Sequence, residues 1–83
     1  MSGNFSQAIT WMRKAINAEP GDPAHYYNLA GMYALNRQDA LAYQALNTAI
    51  DRGYRNLNKI LEDPVFERLR NQAEFGKIKS RLE

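Results

Sequence analysis

The chain has 83 residues, of which 45% are hydrophobic and 24% are charged, and it contains no cysteine. This length allows one domain at most, and so short a chain buries a smaller fraction of its surface than a larger domain does. The composition is ordinary for a globular protein and excludes a disordered chain, a disulfide scaffold and a cysteine-ligated zinc fold.

The net charge of +2 is unevenly distributed along the chain. Residues 1–50 carry three basic and three acidic side chains, whereas residues 51–83 carry eight basic and six acidic ones. Nucleic-acid binding through counterion release needs a cluster of one sign, but here acidic residues interrupt the basic ones. We therefore expect no nucleic-acid partner.

No stretch of the sequence is long and apolar enough to span a bilayer, so no membrane partner is expected. The first seven residues lack the basic and apolar pattern of a secretory signal. A cytoplasmic location is favoured on this basis, although a mature periplasmic protein would fit as well.

Apolar residues recur at steps of three and four in three segments, which is typical of amphipathic helices. The first stripe, which ends before Pro20, comprises Phe5, Ala8, Ile9, Met12, Ala15 and Ile16. The second comprises Tyr26, Leu29, Ala30 and Tyr33, and the third comprises Leu41, Ala42, Ala45, Leu46, Ala49 and Ile50. Gly53 follows the third stripe as a C-terminal cap. Nothing in residues 1–53 alternates with a period of two, so the sequence predicts an all-α fold.

The first and third stripes are related by a shift of 34 residues. The shift places Ala8 on Ala42, Met12 on Leu46, Ala15 on Ala49 and Ile16 on Ile50. The two segments are therefore predicted to be the same element of a repeated two-helix unit. A period of 34 residues built from two helices is the signature of the tetratricopeptide repeat.

Residues 23–56, "PAHYYNLAGMYALNRQDALAYQALNTAIDRGYRN", resemble one complete tetratricopeptide repeat. Seven of the eight signature positions match in type: Tyr26, Leu29, Ala30, Tyr33, Ala42, Leu46 and Ala49. The eighth, usually proline, is Tyr54. Ala30 and Ala42 are expected where the two helices cross, because larger side chains would push the helix axes apart. Residues 4–22 would then be the second helix of an incomplete repeat.

Residues 57–83 depart from the repeat, because Asp63 and Pro64 interrupt the next helix after two turns. Pro64 is predicted to start a new short helix that Asp63 caps. The segment resembles the terminal segment that closes many bacterial tetratricopeptide arrays, and its apolar residues would cover the last repeat. The expected fold is thus a helical-hairpin solenoid fragment in a single domain, with three main helices and one or two short C-terminal ones. Seven basic residues are expected to face water, with docking of an acidic partner as the alternative: Arg55, Lys59, Arg68, Arg70, Lys77, Lys79 and Arg81.

The resemblance implies a concave groove, lined by first helices, that binds a peptide segment of a partner protein. The residues of the complete repeat that lie off its core stripe are the candidates for this groove: Ala24, Tyr27, Asn28, Gly31, Ala34 and Leu35. Tyr27 could supply exposed aromatic area, and the Asn28 amide could hold an extended peptide backbone. The alternative is that both residues only decorate a helix surface.

A second hypothesis is self-association through the first helix, whose partner helix is missing from the repeat. Exposed apolar stripes tend to mark interfaces, and either another copy or the remainder of a longer array could cover this one. The predicted docking face comprises Phe5, Ile9, Trp11, Met12 and Ile16.

Catalytic chemistry is not expected in this chain. His25 is its only histidine and has no acidic residue within a helical turn downstream, so neither a metal site nor an acid–base site is predicted. The motifs of phosphate-binding loops, metalloproteases and nucleophile elbows are absent from the sequence. We therefore predict a non-enzymatic protein with no cofactor.

Overall fold

The computed structural model describes residues 2–83, which form six helical segments and no strand. The segments are α1 (Ser2–Ala18), α2 (Pro23–Leu35), α3 (Asp39–Asp51), α4 (Leu57–Glu62), a 3-10 helix (Pro64–Leu69) and α5 (Ala73–Leu82). The prediction of an all-α fold is confirmed. None of the helices in residues 2–83 combines the length and the hydropathy that crossing a membrane requires.

Short links with defined ends connect the three long helices. Asp22 caps α2 by accepting a hydrogen bond from the Ala24 N–H at 2.9 Å, and Pro23 occupies the first turn, where a missing N–H costs nothing. Only residues 36–38 join α2 to α3, and Arg37 takes a left-handed backbone conformation with φ of 61°. Gly53, with φ of 112°, follows α3 as predicted.

Helix α2 lies at the centre of the fold, where it packs against α1, α3 and the 3-10 helix. Ala30 of α2 and Ala42 of α3 are both fully buried, as expected for small residues at a helix crossing. The largest side chains that are fully buried come from α3 and from the C-terminal segment: Phe66, Leu46, Ile60, Leu69 and Ile78. The core therefore extends from the α2/α3 hairpin into the C-terminal segment.

The C-terminal segment contains three short helices instead of the one or two expected. Asp63 separates α4 from the 3-10 helix, which Pro64 begins, and the Asp63 carboxylate accepts a hydrogen bond from the Val65 N–H at 3.2 Å, as predicted for a cap. Residues 70–72 then separate the 3-10 helix from α5. The 3-10 helix packs on α2 and α5 packs on α3, so this segment covers the hairpin as expected.

Basic residues of the C-terminal segment pair with acceptors of the same chain. Arg68 makes a bidentate contact with the Asp39 carboxylate at 2.7 and 3.0 Å and donates to the Ala34 carbonyl at 2.9 Å. The Arg68 hydrogen bonds lower the pKa of Asp39 below its ordinary value. Arg81 likewise contacts Asp51 at 2.6 Å. These side chains face water as predicted, but they also fasten the segment to α2 and α3.

Candidate functional site

A small apolar cleft opens where α1, α2 and the start of the 3-10 helix meet. Its volume is about 240 Å³. The walls consist of Ala8 and Met12 from α1, Tyr27, Asn28, Gly31 and Met32 from α2, and Asp63 and Val65 from the C-terminal segment. Most of these side chains are apolar, and Asn28 and Asp63 supply the polar atoms. The cleft can thus receive one or two apolar side chains of a partner.

Gly31 allows the 3-10 helix to approach α2 closely. A Cβ atom on Gly31 would lie 3.2 Å from Cγ2 of Val65, which is tighter than ordinary van der Waals contact. Gly31 is buried even though it borders the cleft. Any larger residue here would press on Val65 and narrow the cleft.

Tyr27 is a core residue, so the prediction that it lies exposed in a groove is wrong. Its side chain is 5% exposed, its ring stacks on Tyr54 with centroids 4.7 Å apart, and it meets the Phe66 ring edge to face at 5.6 Å. The hydroxyl donates to Oδ2 of Asp63 at 2.6 Å. Burial and this hydrogen bond both raise the pKa of Tyr27. The physical reason for the error is that the C-terminal segment turns back over α2.

Asp63 is charged at neutral pH although it is partly buried in the wall of the cleft. Burial works to raise its pKa, but the hydrogen bonds from Tyr27 and the Val65 N–H hold that pKa below its ordinary value. Positive charges on Lys59 and Arg70 act in the same direction. Nζ of Lys59 lies 3.8 Å from Oδ2 of Asp63 and 5.6 Å from the centre of the Tyr27 ring. The carboxylate is thus satisfied within the chain.

The other predicted groove residues divide into two groups. Ala24, Asn28 and Leu35 are exposed, as predicted. Gly31 and Ala34 are buried, contrary to prediction, because the 3-10 helix covers this side of α2. Of the exposed residues, Asn28 alone lines the cleft, so the six predicted residues do not form one open surface.

The predicted docking face of α1 is also partly covered. Ile9 is 7% exposed, and Met12 and Ile16 pack against the core because α2 lies on this side of α1. Phe5 is half-buried. Trp11, which falls outside the three- and four-residue stripe, is 62% exposed. The expectation of an open apolar face is therefore wrong for Ile9, while Trp11 remains available for a contact.

The cleft joins the two surfaces that the sequence suggested separately. Met12 came from the predicted docking face, and Asn28 and Gly31 came from the predicted groove. Met32 of α2 was missed because it lies on neither the core stripe nor the predicted groove. Val65 was missed because residues of a terminal segment carry no repeat signal that places them beside α2. A second hollow, of about 290 Å³ between α1 and α3, has more polar side chains in its walls, including Arg13, Asn17, Gln44 and Thr48.

No protein-family model matches the chain, and comparisons with curated proteins and with solved structures found no match either. The function is therefore inferred from the cleft and from the internal repeat of the chain.

Proposed function

We propose that this chain is a non-enzymatic, tetratricopeptide-like interaction module that binds a helical segment of a partner protein in the cleft between α1 and α2. The observation that carries the proposal is a difference between two related helices. Ala42 and Leu46 of α3 are fully buried, whereas Ala8 and Met12, which stand 34 positions earlier on α1, line an open cleft. The alanine and the large apolar residue at these matched positions are thus packed in the core on α3, but they are partly accessible on α1.

The chain itself indicates which kind of element fits this cleft. Helix α2 covers α3 and places Ala30 against it, so a helix with a similar face would suit α1. Such a helix carries an aromatic residue, then Leu and a small residue, then a second aromatic residue one turn later. Small side chains on both sides allow two helix axes to approach closely. The expected partner segment is therefore an amphipathic helix with an alanine or glycine at its centre.

Polar groups at the cleft can orient this helix. Asn28 is exposed, and its amide can both donate and accept hydrogen bonds at the rim. An extended peptide along α2, the first expectation from the sequence, is less well supported because the 3-10 helix already covers Gly31 and Ala34.

Self-association is a second candidate, and Trp11 favours it. An exposed tryptophan on α1 could anchor a contact between two copies of the chain, since tryptophan is enriched among residues that dominate interface energetics. In this case the cleft of one copy would receive part of α1 of another.

A titration of the full chain followed by methyl NMR tests the proposal. The chain has three methionines, and two of them, Met12 and Met32, line the cleft. The probe is a synthetic helical peptide that copies residues 23–36, held helical by a side-chain staple. We expect saturable shifts of the Met12 and Met32 signals, because these methyl groups would contact the peptide directly.

Matched variants separate the cleft from the rest of the surface. Asn28→Arg should abolish the shifts because it places a long charged side chain at the rim. Gln44→Arg makes the same change at an exposed position of α3 away from the cleft and should leave binding unchanged. Equal binding by both variants, or no shift at millimolar peptide, would refute the proposal. Shifts that appear on concentrating the chain without peptide would instead support self-association.

A further inference from the structure

The link between α1 and α2 gathers three side chains that can ligate a metal ion: Glu19, Asp22 and His25. Nε2 of His25 lies 2.8 Å from Oε1 of Glu19 and 3.7 Å from Oδ2 of Asp22. The three ligand atoms all lie within 4.8 Å of one another. No acidic residue follows His25 within a helical turn, which is why no metal site is expected from the sequence, but both carboxylates precede His25 and the turn at residues 20–22 brings them back to it. We infer that this cluster binds a divalent transition-metal ion such as Zn²⁺, independently of the proposed cleft function.

The two separations measured from His25 are close to those that one ion requires, and the third ligand pair lies within 4.8 Å. Tetrahedral zinc with nitrogen and oxygen ligands at about 2.0–2.2 Å has its ligand atoms roughly 3.3–3.5 Å apart. The two separations from Nε2 of His25, 2.8 and 3.7 Å, lie on either side of this value. Small rotations of the Glu19 and Asp22 side chains would lengthen the first separation and shorten the second, so that both oxygens and Nε2 of His25 could bind one ion.

The ligand set favours zinc and its neighbours over magnesium or calcium. An imidazole nitrogen is a good ligand for zinc, copper and nickel, whereas magnesium and calcium prefer sites made wholly of oxygen. It is the histidine, therefore, that distinguishes this cluster from an ordinary pair of surface carboxylates. Three protein ligands leave the fourth tetrahedral position open to a water molecule or to a side chain of a partner.

The surrounding structure holds the ligands in place. Oδ1 of Asp22 is used for the α2 cap, which leaves Oδ2 to face the His25 ring. The Tyr26 hydroxyl donates to the carbonyl of Pro20 at 3.2 Å and fixes the turn against α2. The His25 side chain is 20% exposed, so its ring is partly held by neighbours while Nε2 faces the two carboxylates.

The test uses the untagged full chain with Zn²⁺ as the probe at about pH 7.5, because metal ligands must be deprotonated. Isothermal titration calorimetry measures the affinity, and NMR follows the ring protons of the only histidine. We expect one ion per chain, a shift of the His25 ring signals with Zn²⁺ and no such shift with Mg²⁺. The melting temperature of the chain should also rise with Zn²⁺, because an ion that binds only the folded state stabilises it.

Single substitutions assign the ligands. His25→Ala, Glu19→Gln and Asp22→Asn should each weaken binding by at least about tenfold, since loss even of an indirect partner of a metal ligand costs that much. Asp22→Asn keeps a residue that caps helices well, so α2 should remain folded. Glu74→Gln, at an exposed carboxylate on α5, is the matched control and should bind Zn²⁺ like the wild type. Unchanged affinity in His25→Ala, or no movement of the ring signals at millimolar Zn²⁺, would overturn the inference.

Discussion

The substitution Tyr27→Phe, which removes one hydroxyl group, tests whether the hydrogen bond from Tyr27 to Asp63 stabilises the packing of the C-terminal segment on α2. In Tyr27→Phe the ring keeps its stacking on Tyr54, but the 2.6 Å hydrogen bond to Asp63 is lost. A hydrogen bond to a charged group contributes about 1.5–3 kcal/mol. Asp63 keeps the Val65 N–H and the neighbouring Lys59, so we expect the lower end of this range, about 1.5 kcal/mol.

The pH dependence of this loss follows from the pKa of Asp63. The folded pKa of Asp63 is lowered, so the carboxylate stabilises the fold above its unfolded pKa of about 3.9, and this contribution disappears as pH falls through the folded value. The Tyr27 hydroxyl is one cause of the lowered pKa. The difference between wild type and Tyr27→Phe should therefore shrink as pH falls from about 4 through the lowered folded pKa of Asp63, because a neutral carboxyl is a weaker acceptor.

Urea denaturation followed by circular dichroism, at pH 7 and in steps downward from about pH 4, measures both quantities. Tyr26→Phe is the matched control, because the Tyr26 hydroxyl contacts only the exposed Pro20 carbonyl at 3.2 Å. It should change the free energy of unfolding by less than about 0.5 kcal/mol. If Tyr27→Phe were as stable as wild type at pH 7, or lost the same stability at every pH down to the acid limit of folding, the assigned role of the Asp63 hydrogen bond would be wrong.

Three further predictions concern the packing, the salt bridge and the exposed aromatic residue. Ala42→Leu should lower the free energy of unfolding, measured by urea denaturation, by about 1–3 kcal/mol through overpacking. Ala40→Leu, on the exposed side of α3, should change it by less than about 0.5 kcal/mol. Equal effects of the two substitutions would mean that α2 and α3 do not cross at Ala42. Arg68→Gln should cost less than about 1 kcal/mol at pH 7, because the Arg68–Asp39 pair is partly exposed. The part of this cost that comes from Asp39 should fade as pH falls below the ordinary pKa of Asp39, since its folded pKa is lowered, whereas the part from the Ala34 carbonyl should remain. A cost that does not change at all between pH 7 and the acid limit of folding would contradict this. Trp11→Ala should alter the free energy of unfolding by less than about 0.5 kcal/mol, because the side chain is exposed. The same substitution should abolish any concentration-dependent dimer seen in sedimentation velocity. A dimer that persists in Trp11→Ala would exclude Trp11 as its main contact.

The sequence predicted the parts of the fold that depend on local signals. Helical periodicity, the Asp63 cap and Gly53 all act within one or two turns of the chain, and the structure has each of them as predicted. The burial of Ala30 and Ala42 also followed from the sequence, because small residues at matched repeat positions indicate where two helices cross.

The site was harder to predict, because its accessibility depends on how a non-repeating segment returns to α2. The ring of Tyr27 is closed off by Tyr54 at the end of the repeat and by Phe66 of the returning segment, and neither contact follows from the repeat pattern. Likewise, the cluster around His25 depends on the path of a turn that hydrophobic periodicity does not describe. Asn28, at the edge of the covered face, was predicted correctly as exposed.

The return of the 3-10 helix to α2 also has a consequence for cooperativity. The hydrogen bonds from Tyr27 to Asp63 and from Arg68 to Ala34 join residues 36 and 34 positions apart. A simple stack of repeats can lose its end units one after another. Here, release of residues 57–83 would uncover the middle helix, so native-state hydrogen exchange should find α2, α3 and the 3-10 helix opening together as one unit.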